Sequence, residues 1–363
     1  MPAPDLPFRP AGWVNRLVAA PRFQAICARV PGLRGIARRE GAAIFDLMQG
    51  FVQSQMLMAL VELRVLHLLA DGPATADALA RRLDVPPERM AILLQAGAAM
   101  QLLRRKRDQF RLARRGAAFL AVPGLAEMVR HHDVLYRDLS DPVAFIKGQT
   151  EPELARFWPY VFGATDPMDP DVTARYSHLM AESQRMVADA ALAQLSLSGV
   201  RHLLDVGGGT GMFLRAVRAR YPGVKLALFD LPDVVKQAAL PADVTRHGGS
   251  FRSDPLPAGA DAISLVRVLY DHSDDTVRSL LARAYAALPS GGRLLVIEPM
   301  SGGARPDPQT DVYFSVYTLA MRTGRTRSAA EITDLLIQAG FVDFKTYPAD
   351  KPFVTCILDA RKP

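Results

Sequence analysis

The stretch Asp205-Val206-Gly207-Gly208-Gly209-Thr210-Gly211 constrains this chain more than any other. It follows the apolar run His202-Leu203-Leu204 and precedes Met212-Phe213-Leu214, so it reads as a turn from a buried strand into a helix. Glycines there permit positive φ and let a ligand lie against bare backbone. A dinucleotide fingerprint fails, because G-x-G-x-x-G counted from Gly207 ends on Met212. A P-loop fails as well, since no Lys-Ser or Lys-Thr follows. Further apolar runs predict strands over residues 224–229, 262–269 and 294–297, with helical stretches between them. That alternation predicts an α/β fold, a doubly wound parallel sheet. Residues 341–344 and 353–358 read as a terminal antiparallel pair.

The second strand ends in Phe229-Asp230-Leu231-Pro232, with Asp230 placed 19 residues after Gly211. A carboxylate at that strand end can accept both hydroxyls of a ribose. Upstream, Ile44, Leu47, Met48, Phe51, Met56, Leu60, Leu63 and Leu66 predict a helix over residues 42–69, stopped by Asp71-Gly72-Pro73. Thr75 can cap the next helix, Val85-Pro86-Pro87 breaks it, and another helix runs over residues 88–103. A basic ribbon holding Phe110 and Leu112 follows, completing a winged-helix pattern. The expected organisation is an arm over 1–40, a winged helix over 41–120, a helical aromatic pocket region over 121–195 and a cofactor-binding domain over 196–363. The aromatic residues include His131, His132, Tyr136, Phe145, Phe157, Trp158, Tyr160, Phe162 and Tyr176.

Composition enters here, because the net charge of +7 is unevenly spread over the 363 residues. Residues 1–40 carry seven arginines against two acids, a net +5, interleaved with Trp13, Leu17, Phe23 and Ile26. Residues 104–115 carry a net +6. Together these exceed the charge of the whole chain, so the cofactor-binding half contributes none of it. The winged pattern raises DNA binding. However, Met90-Ala91-Ile92-Leu93-Leu94 makes its second helix apolar where a base reader needs polar side chains, so no nucleic acid is expected. The arm reads either as an interfacial segment resting on lipid phosphates or as an ordinary docking arm with a solvated face. Two cysteines, Cys27 and Cys356, exclude a disulfide scaffold and a cysteine zinc site, and no metal is expected. No run of about 18 apolar residues suggests a membrane span, and residues 1–10 lack signal-peptide order. A cytoplasmic protein, with the arm able to rest it on the inner membrane, is the expected setting.

The glycine turn has the form D-x-G-x-G-x-G and resembles the first motif of class I S-adenosylmethionine methyltransferases. In order follow Phe229-Asp230-Leu231-Pro232, His247-Gly248-Gly249-Ser250-Phe251, Val268-Leu269-Tyr270-Asp271-His272 and Gly291-Gly292-Arg293-Leu294-Leu295-Val296-Ile297-Glu298. This series resembles the plant-type O-methyltransferases, homodimers that join a winged-helix dimerisation domain to the class I sheet. Phe45-Asp46-Leu47, His131-His132, Glu298-Pro299-Met300-Ser301-Gly302 and Asp311-Val312-Tyr313-Phe314 are similar, within them, to the bacterial hydroxyneurosporene O-methyltransferases of carotenoid synthesis. The resemblance implies S-adenosylmethionine as cofactor, with Asp205, Gly207, Gly209, Gly211, Asp230, Ser250 and Phe251 around it. It implies an apolar acceptor, a hydroxylated acyclic carotenoid.

One departure stands out. Where phenol-methylating members carry a histidine base, this chain has Tyr270, and the second of their two supporting glutamates falls on Thr326. The first matches Glu298. A tertiary aliphatic hydroxyl is far less acidic than a phenol, whose pKa is about 10, so no side chain ionises it beforehand. Tyr270 or His272 can then steer the proton, with Glu298 in support, or Tyr270 can simply line the pocket. Asp271 reads as an orienting group or the cap of the next helix. A bacteriochlorophyllide C-methyltransferase, a phenolic O-methyltransferase and a winged-helix regulator are the rival readings.

Overall fold

A computed structural model describes residues 12–157, 184–347 and 356–363. Trp158, Tyr160, Phe162 and Tyr176 of the expected aromatic wall lie outside the described residues, as do residues 353–355 of the expected last strand. The chain divides into two compact units, residues 1–120 and 121–363.

In the first unit, α1 (Trp13–Ala19), α2 (Pro21–Arg29) and α3 (Pro31–Glu62) follow one another. The boundary expected at residue 40 falls inside α3, which begins well before residue 42. The single helix expected to residue 69 breaks at Arg64, which adopts the left-handed conformation, before α4 (Val65–Asp71). No glycine or proline marks that break, so propensity gives no sign of it. By length and composition alone α3 is apolar enough to cross a membrane, which corrects the expectation of no such helix. Its apolar residues are interrupted by polar ones and form no continuous run, but over 18 residues their mean hydropathy reaches 1.2. Ile44, Phe45, Leu47, Met48 and Phe51 are exposed along it, Leu47 to 85%.

The winged element follows as read, except that its second helix ends at Ala99 and Leu103 already belongs to a strand. Thr75 Oγ1 accepts from the Ala78 amide at 3.2 Å and caps α5 (Ala76–Leu83). Next come α6 (Pro87–Ala99), the hairpin β2 (Leu103–Lys106) and β3 (Gln109–Leu112), and α7 (Arg114–Ala121), with β1 (Ala74–Thr75) pairing on β3. Met90, Leu93 and Leu94 of α6 point into a core with Leu60, Leu66, Leu79, Leu103 and Phe110. The helix a regulator would offer to DNA thus spends its apolar face on the domain interior.

The second unit opens with α8 (Leu125–Asp138) and α9 (Pro142–Ile146). A seven-stranded sheet follows in the order β6-β5-β4-β7-β8-β10-β9. Its strands are β4 (His202–Val206), β5 (Lys225–Asp230), β6 (Thr245–Gly248), β7 (Ala262–Val266), β8 (Arg293–Glu298), β9 (Val342–Tyr347) and β10 (Cys356–Arg361). β10 lies antiparallel between β8 and β9, as the terminal pattern suggests. β6 has no apolar run, which is why the sequence reading lacks it. Along β4, Leu203 and Leu204 point to opposite cores, so the central strands are buried on both faces. The helices α10 (Met212–Arg220), α11 (Pro232–Gln237), α12 (Asp274–Ala287), α13 (Ser315–Met321) and α14 (Ala329–Gln338) complete the unit. After β4 the strand order runs one way through β5 and β6 and the other way through β7 and β8. This reversal opens a crevice at the carboxyl end of β4, where open α/β sheets bind ligands.

Candidate active site

The glycine turn sits at that crevice. Gly207, Gly209 and Gly211 all have positive φ, which explains their number. At Gly207, with φ 70°, a Cβ would also lie 2.9 Å from Val268 Cγ2, so a side chain there would close the gap between the ends of β4 and β7. The Gly207 amide donates to the Phe229 carbonyl at 2.8 Å and ties the turn to β5. The Gly209 amide donates to Asp230 Oδ2 at 2.8 Å, and the Leu231 amide to Asp230 Oδ1 at 2.7 Å. These bonds fix the carboxylate, yet each oxygen keeps capacity for another donor. Burial pushes the Asp230 carboxyl up, against the pull of the two amides.

Asp205 is wholly buried. The Ser264 hydroxyl donates to its Oδ1 at 2.6 Å, while Oδ2 has no partner among the described residues. A Cβ at Gly208 would collide with that Oδ2. Burial lifts the carboxyl to about 7. Asp205 therefore backs the turn from beneath. On the facing wall, the Phe251 ring approaches Gly207 and meets His272 edge-on at 5.1 Å. The Ser250 amide donates to Asp254 Oδ2 at 2.8 Å, which holds the Ser250–Phe251 turn closed. His272 Nδ1 is 3.2 Å from Arg252 Nη2. Burial, then Arg252 and Arg327, lowers the imidazole to about 4, so it is neutral at pH 7.

Tyr270 takes its partners elsewhere. Its hydroxyl accepts from Arg267 Nη2 at 3.0 Å, and the Arg267 guanidinium lies 5.8 Å from the ring centre. Arg267 itself has φ 57°, an uncommon conformation for a side-chain-bearing residue at the end of β7. Burial, more than any charge, raises the Tyr270 hydroxyl far above the ordinary phenol range, so it stays protonated. Glu298 is wholly buried at the end of β8. Its Oε2 accepts from the Leu269 amide at 2.9 Å and the Tyr270 amide at 3.3 Å, while Oε1 is unpartnered among the described residues. Burial lifts this carboxyl to about 7. Asp271, buried beside it, is raised well above the carboxylate range for the same reason. Asp271 does not cap the next helix: Ser273 holds that position. The three residues expected to act on a proton are thus split, Tyr270 and Glu298 on one side and His272 against Phe251.

Arg327 binds this loop together from inside. It is fully buried and donates to the Leu269 carbonyl at 2.9 Å, the His272 carbonyl at 2.8 Å and Asp274 Oδ1 at 2.6 Å. Thr326, at the family's second glutamate, joins Ser301 and Ser315 in a trio of hydroxyls, 2.9 Å from Ser315 Oγ. Four rings complete the region. His131 Nε2 lies 2.8 Å from Tyr317 Oη, and His132 Nε2 lies 2.8 Å from Tyr313 Oη. Tyr313 and Tyr317 stack at 6.0 Å, and both feel the charge of Arg267. The sequence reading found the histidines but missed Arg267, Arg327 and Tyr317. Only the four-residue spacing of Tyr313 and Tyr317 could have signalled the tyrosine pair.

Residues 136–342 match the O-methyltransferase domain and residues 45–121 the O-methyltransferase dimerisation domain. The chain is 62% identical over 356 residues to the demethylspheroidene O-methyltransferase of Cereibacter sphaeroides, covering 96% of this chain and 94% of that protein. It is 51% identical to the Rhodobacter capsulatus protein of the same name, over 99% of this chain and 92% of that one. The crystal structure of human N-acetylserotonin methyltransferase with SAM aligns at a TM-score of 0.73 and 27% identity, covering 89% of this chain and 97% of that one.

Proposed function

The chain belongs to the O-methyltransferase family, and from that premise we propose that it methylates the tertiary hydroxyl of an acyclic carotenoid, a hydroxyneurosporene or demethylspheroidene, using S-adenosylmethionine. The observation that carries the choice of acceptor is Tyr270, protonated and bonded to Arg267 where a phenol-methylating member needs a base. The relatives of highest identity described above carry the matching name.

The crevice fits this cofactor. Asp230, fixed by two amides, would hold the ribose hydroxyls, the glycine turn would hold the amino-acid end, and Phe251 and Ser250 would hold the adenine. Asp205 holds the turn in shape. When bound, S-adenosylmethionine supplies a methyl group made electrophilic by its sulfonium. The residues of this chain position the acceptor oxygen and take its proton. Tyr270, held by Arg267, offers a hydroxyl that aligns the oxygen. Methyl transfer would break the methyl–sulfur bond as the carbon–oxygen bond forms; the acceptor's oxygen–hydrogen bond would break late, its proton passing to the buried carboxylate of Glu298, whose pKa of about 7 and oxygen unpartnered among the described residues suit that role. His272 serves the Phe251 side as a neutral ring. The test is incubation with methyl-labelled cofactor and a 1-hydroxy acyclic carotenoid in micelles. A labelled methyl ether is expected, and its absence overturns the reading.

The protein works as a homodimer in this account, with the exposed apolar face of α3 covered by a second copy. The match to a dimerisation domain supports it. The arm gives a place on the membrane. Trp13, Val14, Leu17 and Ile26 are exposed on α1 and α2 among Arg16, Arg22 and Arg29, the pattern of a segment that lies on anionic lipid, where each cation near the surface contributes about 1 kcal/mol. A cytoplasmic enzyme docked on the inner membrane meets its acceptor there. Changing the three arginines to glutamate releases the protein from anionic liposomes in this account; wild-type protein that never binds them refutes it.

A further inference from the structure

The rings of Tyr317, which is buried, and of His131, His132 and Tyr313, which are half-buried, form one assembly that the mechanism above does not use. Four polar rings in one place are costly to bury unless their polar edges are satisfied. Here they are satisfied in pairs, at 2.8 Å each, and the pairs lie side by side because Tyr313 and Tyr317 stack at an interplanar angle of 23°. Tyr313 belongs to a π-helical segment, Pro308–Phe314, that runs directly into α13. Such wide turns are rare and concentrate at functional sites. Tyr317 packs in an apolar cluster with Val134, Leu135, Phe145, Leu154, Ala320 and Met321.

Each pair spends one hydrogen-bonding position of its phenol and leaves another. A tyrosine oxygen whose hydrogen goes to the imidazole still accepts, and one that accepts from the imidazole still donates. Burial lowers His131 to about 4 and His132 in the same direction, while both tyrosines are raised, so all four rings are neutral at pH 7. A neutral wall adds no repulsion to a neighbouring sulfonium. It adjoins Tyr270, because α13, which carries Tyr317, packs against the Leu269–Asp271 segment.

We propose that these two histidine–tyrosine pairs are the specificity element of the enzyme, packing against the polyene end of the acceptor and reading its hydroxyl through the Tyr313 or Tyr317 oxygen as it enters, before Tyr270 and Glu298 engage it. This rests on the acceptor reading given above. Because the pairs satisfy each other when no hydroxyl is present, they reject a hydrocarbon only moderately. A site whose groups would be left wholly unpaired discriminates by 10⁴ or more, so about 10-fold is expected here.

The test compares a 1-hydroxy acyclic carotenoid with the same hydrocarbon lacking the hydroxyl, both in detergent micelles. The first serves as substrate and the second as competitive inhibitor. Wild type should prefer the hydroxylated compound by about 10-fold, and Tyr313→Phe/Tyr317→Phe together should reduce the preference to about 2-fold or less. Cofactor affinity by calorimetry should stay within about 2-fold, and acceptor KM should move more than kcat. The single variants keep every ring and serve if the double variant loses its cofactor affinity. A preference that survives in the tyrosine variants overturns the proposal. Wild-type protein that methylates no hydroxylated carotenoid overturns instead the reading beneath it.

Discussion

On the β5 side of the crevice, Asp230 takes its hydrogen bonds from the backbone of Gly209 and Leu231, on the turn and strand end it completes. On the β7 side, Tyr270 leans on the side chain of Arg267, and His131 meets Tyr317 across 186 residues of sequence. The first side is backbone held by carboxylates, which any class I methyltransferase can share. The second is side chain held by side chain, which each acceptor can reshape. Cofactor binding and acceptor choice are thus written in different materials, and a substitution should disturb one without the other.

The largest effect belongs to the loop that joins them. Arg327→Met leaves the Leu269 and His272 carbonyls without their donor and Asp274 to Arg325 alone, and each buried carbonyl left unsatisfied costs about 1–3 kcal/mol. Chemical denaturation should show that loss in the second unit; a change below about 1 kcal/mol would mean the loop holds without its central cation. Asp230→Ala comes next. It removes the acceptor for two amides and for the ribose, so calorimetry should show cofactor affinity falling at least about 100-fold, or about 2.7 kcal/mol. Unchanged affinity would dissolve the division between the two sides.

Tyr270→Phe tests the acceptor side alone. Loss of one aligning hydroxyl, about 1–1.5 kcal/mol, should cut kcat about 10-fold with cofactor affinity intact. A full rate would leave Tyr270 a packing role. The smallest effect is on pH dependence. Glu298 has its carboxyl raised from 4.5 to about 7 by burial. The folded protein therefore holds a proton that the unfolded chain has released, and stability falls as pH rises through that window. Glu298→Gln, which keeps an oxygen for the Leu269 and Tyr270 amides, should make the decline in Tm between pH 4.5 and 7 shallower. Asp205, also raised to about 7, retains its share. A wild-type decline that the variant repeats unchanged would deny Glu298 its shifted pKa.

The same division explains what could be read from the sequence. The glycine turn, Asp230 and the wing with its Thr75 cap are local, each written within a few residues. The hydroxyl trio around Thr326 and the burial of Arg327 depend on segments that only the fold brings together. No pattern distinguishes a buried arginine from the many exposed ones in a chain with 37 of them. The break at Arg64 and the polar edge strand β6 escaped for a related reason, since neither carries a punctuating residue or an apolar run. Tyr270 was visible as a departure, but its meaning waited for Arg267.

The central claim is that the acceptor side is built for a hydroxyl that nothing ionises beforehand. The most direct measurement offers the enzyme methyl-labelled cofactor with a hydroxylated acyclic carotenoid, a catechol and a chlorin in parallel. The account predicts label on the carotenoid oxygen alone, whereas transfer to the catechol or to a chlorin carbon at a comparable rate would contradict it.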